Sequence, residues 1–374
     1  MKYEECRRTN FSEDEAMRCF TENFGSFYDV CTDQCYIDMR LTTLFHNNQL
    51  ENAVYGLLFP ILVIFVVVAN ALIVIVLSKK HMITPTNVVL KYMAIADLCV
   101  GLVPLPWTFF YHTLKYNLYE DQLQLWWCYM YKYCMDAVPP VCHNIAMWLT
   151  VLLAGQRYIF VEYPILSRKL CSVHNVRVST LIITIVSLLC GLPKSLDYYY
   201  DVYEGWAYFP HGELKSCLYD FTALVRFIGP NNFFNFYFWT RVLGFIILPS
   251  LLLIILNFLL IRGLRKAQKR KQRLLREKRA REAQSQIDGS STSLMLVVIV
   301  SIFLIVNLPQ AIFIGLLCVC TTFGVSMKLF EGIFPAAFLL ANNMLVMATY
   351  PVNFGIYCFM SSSFRRTFSN IFCR

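Results

Sequence analysis

Two ionisable side chains stand out inside the long apolar runs of this sequence: Asp97, in the middle of one run, and Arg157, which closes another in "AGQRYIFVEYP" (154–164). A charge at membrane depth is costly, so such residues are the best pointers to function. No run pairs a nucleophile with a base or carries a His and Asp cluster with metal spacing, so no catalysis, metal or cofactor is expected. By itself Arg157 fits a snorkelling anchor at the lipid headgroups. Further polar or aromatic candidates for the interior are Trp107, Asp136, His143, Asn307, Gln310, Phe313, Asn342 and Asn343. Each has two readings, hydrogen bonding between helices or contact with a ligand.

The elements that must position these residues follow from composition. Of 374 residues, 57% are hydrophobic and only 15% charged, with mean hydropathy +0.51, whereas soluble domains are about 25% charged. A hydrocarbon core about 30 Å thick needs about 20 apolar residues in a helix. Runs of that kind occupy 53–77, 88–110, 127–158, 176–192, 237–261, 294–320 and 329–360. With no water to satisfy backbone groups, helices are the expected conformation. The expected fold class is an all-α membrane protein, a bundle of seven transmembrane helices.

Charge sets the expected orientation. Residues 1–53 carry ten acidic and five basic side chains, while residues 262–288 carry eleven basic against three acidic ones. The positive-inside rule puts the basic segment in the cytoplasm and the N-terminus outside. The expected domains are an exported Cys-containing tail (1–52), a seven-span body (53–360) with a basic cytoplasmic loop (262–291), and a short C-terminal segment (361–374). The start, "MKYEECRRTNF", lacks the apolar stretch of a cleavable signal, so the first span is expected to act as an uncleaved anchor. Exported thiols favour disulfides, and Cys6, Cys19, Cys31 and Cys35 allow three pairings. Asn10 opens a glycosylation sequon. The stretch 264–286 is rich in helix formers and is expected to extend the fifth helix; its basic side chains fit anionic lipid or a cytosolic partner.

The residues in order along the runs resemble those of rhodopsin-like (class A) G-protein-coupled receptors, from residue 53 to the end. Asn70 in "VANALIVIV" and Asp97 in "MAIADL" resemble the polar pair of the first two helices, and "GQRY" (155–158) resembles the acid, Arg, Tyr motif. Pro249 resembles the kinking Pro of the fifth helix, Phe303 and Pro309 the aromatic and Pro of the sixth, and "YPVNF" (350–354) the motif of the seventh; "FRRTF" (364–368) is similar to the amphipathic eighth helix. The departures are Gln156 for the acid, Asn307 for Trp, Tyr350 for Asn, Phe354 for Tyr and Asn257 for Tyr. "PPVCHN" (139–144), "TPTN" (84–87) and the Gln before Arg157 are similar to invertebrate neuropeptide receptors of the myoinhibitory-peptide or sex-peptide, myosuppressin and FMRFamide-like group.

The resemblance implies a plasma-membrane receptor that takes an extracellular neuropeptide and activates a heterotrimeric G protein, with no nucleic-acid partner. It implies a switch at Arg157, Tyr158 and Gln156, and an activation core of Asn70, Asp97, Phe303, Asn307, Pro309, Tyr350, Pro351, Asn353 and Phe354. It implies a disulfide from Cys217 to the third helix, with Cys128 preferred and Cys134 the alternative, and a palmitoyl site at Cys373. Pro139 stands where amine receptors carry Asp, and no Lys lies between Glu331 and Tyr357 for retinal. The segment 194–236, with Asp197, Asp201, Glu204, Glu213, Asp220 and "LDYYYDVYEGWAYFP" (196–210), suits a cationic or amidated peptide. Its aromatics also fit a membrane interface. Trp107, Asp136, His143, Gln310, Phe313 and Asn342 are the candidate ligand contacts. The rival functions are a non-signalling scaffold or decoy and a secondary transporter.

Overall fold

The computed structural model describes the backbone of residues 53–115, 124–207, 212–276, 280–325, 327, 329 and 334–372, with 14, 17–19, 26–29 and 34–37 before them. Among these residues six helices are long and apolar enough to cross a membrane: α1 (Val54–Leu77), α2 (Pro85–Thr113), α3 (Leu125–Glu162), α4 (Val173–Ser195), α5 (from Pro230) and α6 (ending at Phe323), whose apolar window is Val297–Cys320. The seventh, α7 (Phe334–Met360), has no charged side chain, and the amphipathic α8 (Ser362–Phe372) follows. The chain is a multi-pass membrane protein.

Two compact units divide the chain, one of residues 1–60, 104–138 and 192–233, the other of residues 61–103, 139–191 and 234–374. In the larger unit α1 illustrates how an apolar run finds an inward face. Val63, Val66, Asn70, Ile73 and Leu77 are buried at helical spacing, while Ile61, Ile64, Phe65 and Val68 are exposed, as lipid-facing residues are. Lipid is as apolar as Leu, so the helices associate through close packing and hydrogen bonds. Gly191 of α4 is such a contact, since a Cβ there would overlap the Val141 side chain of α3. Thr84 caps α2 by accepting from the Asn87 N–H, with Pro85 in the first turn, the usual start of a helix.

The basic stretch 264–286 is divided between two helices. The fifth helix continues to Arg276 and the sixth already begins at Ala280, so the stretch expected to extend the fifth helix does so as far as Arg276 and from Ala280 belongs to the sixth.

The smaller unit adds a sheet to the helices. Strands β1 (Ser26–Asp29), β2 (Gln34–Ile37), β3 (Tyr198–Ala207) and β4 (Gly212–Phe221) pair in the order β2-β1-β3-β4. The β3–β4 hairpin pairs from Tyr198 with Phe221 to Ala207 with Gly212, whereas among the described residues β1 meets β3 where Asp29 faces Ala207. Cys19 and Cys35 form a disulfide. Cys6, Cys31, Asn10 and Cys373 lie outside the described residues.

Candidate functional site

Three groups of polar side chains stand out. The first lies on α1, α2, α3, α6 and α7 in the larger unit. Asn70 is buried and donates to the Val66 carbonyl at 3.0 Å, and Asp97 is buried in α2. His143 Nδ1 meets the buried Tyr350 hydroxyl at 3.1 Å, and the imidazole stacks on Phe303 at 6.4 Å between centroids. Asn307 donates to the Phe303 carbonyl at 2.8 Å. Pro309 and Pro351 sit inside α6 and α7. Phe354 packs its ring against Phe364 and Phe368 of α8, so an aromatic stack, with no hydroxyl, seats α8 on α7. Farther along the same helices, Asn342 donates to Gln310 at 2.9 Å, and Phe313 stacks on Phe338 at 4.5 Å. These candidates are engaged between helices.

The second group surrounds the end of α3. Gln156 is buried, and neither atom of its amide has a hydrogen-bond partner among the described residues. The Arg157 guanidinium lies over the Phe160 ring at 5.9 Å, and Tyr158 meets Tyr163 edge-on. Val161 of α3, Leu260, Ile261 and Leu264 of α5 and Val297 of α6 form one apolar cluster. Lys266 donates to Glu162 at 2.6 Å, and Asn257 donates to Ser301 at 2.9 Å. A Cβ at Gly263 would stand 3.1 Å from Val161. The ends of α3, α5 and α6 are therefore packed together. Sequence reading missed the Glu162–Lys266 pair; each partner looked like an ordinary solvated charge.

The third group is in the smaller unit. Cys128 and Cys217 form a disulfide with Cα atoms 5.9 Å apart, and Cys134 is a free thiol. Around it pack Trp107, Trp127 and Tyr200, with Trp107 0% exposed and stacked on Tyr111 at 4.5 Å. That indole is part of the core of this unit. Lys132 was passed over in the sequence, yet it is buried here with Asp197, their charged groups 3.1 Å apart. An ammonium inside a run of aromatics signals a buried partner. Lys194 bridges Asp197 at 3.1 Å and Asp136 at 3.7 Å.

Two of the acids expected to attract a peptide are thus already committed. Asp197 serves the two lysines, and Asp220 accepts from the Phe221 N–H, Tyr199 and Arg226. The Phe221 N–H, with the Tyr199 hydroxyl and Arg226 beside it, holds the Asp220 carboxyl below the usual range. Burial, then the neighbouring Asp197 charge, pushes the Tyr198 hydroxyl up to about 12, so it stays protonated and able to donate at neutral pH.

The sequence model described as serpentine type 7TM GPCR chemoreceptor Srw matches residues 57–374. The chain belongs to this family of seven-transmembrane G-protein-coupled receptors. The receptor is 61% identical over 355 residues to the sex peptide receptor-related protein 2 of Caenorhabditis elegans, covering 94% of this chain and 78% of that one. It is 36% identical over 323 residues to the sex peptide receptor of Drosophila melanogaster, 85% and 72% of the two chains. Identity to the FMRFamide receptor of the same fly is 24% over 333 residues, 88% and 55%. These relatives are receptors, and the protein is a receptor rather than an enzyme. Among the described residues no cluster of three or more His, Cys, Asp or Glu is arranged to hold a metal.

Proposed function

We propose that this receptor sits in the plasma membrane with its N-terminus outside, binds a short amidated neuropeptide there, and passes the signal to a heterotrimeric G protein. One observation carries the reading: the relatives that align over 85% or more of this chain are named for peptides, the sex peptide and FMRFamide. The basic character of 262–288 against the acidic 1–53 supports the orientation.

The closed packing of Val161, Leu264 and Val297 supports a mechanism. A peptide stabilises an open arrangement by contacts that the closed one lacks, and so shifts a pre-existing equilibrium. Opening separates α6 from α3 and α5 and frees Arg157, Tyr158 and Gln156 to meet the G protein. In this reading Asn70, Asp97, Asn307, Tyr350 and Asn353 lie on the path between the two events. Asn10 carries a glycan, Cys373 a palmitoyl chain, and lipid headgroups meet the basic helix ends.

The test is direct. Cells expressing the full chain are challenged with a panel of synthetic amidated peptides, including FMRFamide, and with sex peptide, while G-protein activation is recorded. Submicromolar activation by a peptide supports the reading; surface expression with silence toward the whole panel sinks it.

A further inference from the structure

The β3–β4 hairpin is held to α3 at two places, one covalent and one ionic. The disulfide grips it at Cys217, which faces Val202 across the hairpin. Four residues back along β3, Lys132 Nζ donates to the Tyr198 carbonyl at 2.6 Å and pairs with Asp197 at 3.1 Å. At about 3.3 Å per residue the two grips are about 13 Å apart. A strand held at one point can pivot or slip; a strand held at two has a fixed seat.

The ionic grip is built for this. Lys132 and Asp197 are 2% and 1% exposed, and the ammonium also lies over the Tyr200 and Tyr133 rings, 5.7 and 6.0 Å from their centroids. Asp197 is held in turn: its carboxylate accepts from the Tyr198 N–H at 2.7 Å, and its carbonyl accepts from Thr222 at 3.2 Å. Lys194 continues the chain of charges to Asp136. The alternation of a strand turns Tyr200 inward, while Tyr199 is 43% exposed and Asp201 also faces out.

We propose that Lys132 is a positioning residue for peptide reception, which fixes the seat of the hairpin on α3 through Asp197 and thereby sets Tyr199 and Asp201 where an incoming peptide meets them. The inference rests on the peptide-receptor reading, and its first readout needs no peptide. Hydrogen exchange is measured on the full receptor in lipid nanodiscs. Lys132→Met should speed exchange of the amides of residues 198–202 at least tenfold while the Cys128–Cys217 bond stays oxidised. Because that variant leaves Asp197 with Lys194 as its partner, the double variant Lys132→Met with Asp197→Leu, which removes both buried charges and leaves Lys194 with Asp136, serves as the control for folding. It should reach the cell surface at the parent level, keep the fast exchange, and need at least tenfold more of the most potent panel peptide for half-maximal response at an unchanged maximum. Exchange in 198–202 less than tenfold faster in the double variant, or an unchanged half-maximal concentration, overturns the proposal. A parent receptor silent to the panel fails the peptide-receptor reading instead, and is recognised before any variant is made.

Discussion

The His143 imidazole of α3 and the Tyr350 hydroxyl of α7 stand 3.1 Å apart in the interior of the larger unit. Tyr350 occupies the place of the Asn expected from the resemblance to class A receptors, so this protein ties the two helices directly through a phenol. In Tyr350→Phe the ring remains and the hydrogen bond goes. A neutral hydrogen bond contributes about 1 kcal/mol, which is about a fivefold change in an equilibrium. In the proposed mechanism the contact holds the closed arrangement, so basal G-protein activation without peptide should rise about fivefold at equal surface expression. Basal output at the parent level would show that the bond is equally present when the helices open.

Arg157 carries the second prediction. Arg157→Ala should abolish peptide-evoked signalling and leave surface expression and peptide binding within about twofold of the parent, because the switch acts after binding. Radioligand binding beside a second-messenger assay reads both. Gln156→Glu, which puts a carboxylate in the place of the amide that has no partner among the described residues, should lower basal activity by holding Arg157 in its resting place. Unimpaired signalling by Arg157→Ala would refute the role.

The two candidate partners of Cys217 now make different predictions. Cys128→Ser opens a loop with a sequence separation of 89, for which chain entropy gives about 4–5 kcal/mol. Surface expression should fall by more than tenfold. Cys134→Ser removes a free thiol and should leave expression and potency unchanged. Rescue of the Cys128→Ser variant by Cys134 would contradict the observed pairing.

What the sequence made legible depended on range. The seven spans could be read because a run such as 53–77 needs only composition to declare itself. The register of Asn70, Asp97 and Arg157 within them followed from motif order. The Lys132–Asp197 pair was hidden because its partners are 65 residues apart, and each had a bland local reading. The β3–β4 hairpin was read only as an acidic, aromatic segment, since "DYYYDVYEGW" is aromatic on both faces and lacks the polar and apolar alternation that announces a half-buried strand. The wider helical turns, with i→i+5 hydrogen bonds, at Lys132–Ala137 and Val242–Ile247 leave no sequence signature. The first of them lies between Cys128 and Arg157.

Gly191 tests helix packing. Its missing Cβ leaves room for Val141, and overpacking of such a contact costs about 1–3 kcal/mol. Gly191→Ala should cut surface expression several-fold. Adding Val141→Ala removes the methyl groups in conflict and should restore it. Full expression of the single variant would mean that α3 and α4 can move apart at no cost.

Ile165 marks where a cytosolic partner is expected to seat. It follows Pro164 at the start of the short helix Pro164–Leu170 and is 89% exposed, with Tyr163, Leu166 and Leu170 also exposed nearby. A large apolar side chain left this bare, three residues beyond the end of the helix that carries Arg157, is expected to serve as an anchor for the partner's pocket, and buried anchors of this kind dominate interface energetics. Ile165→Ala removes three buried carbons in the complex, about 2 kcal/mol at about 0.8 kcal/mol per carbon. The coupling efficiency of purified G protein to the receptor should therefore fall about thirtyfold, with peptide affinity in the absence of G protein unchanged. If coupling persists at the parent level, the G protein engages this receptor elsewhere, and the exposed isoleucine belongs instead to the lipid interface, where Ile165→Trp should then be tolerated without loss of signalling.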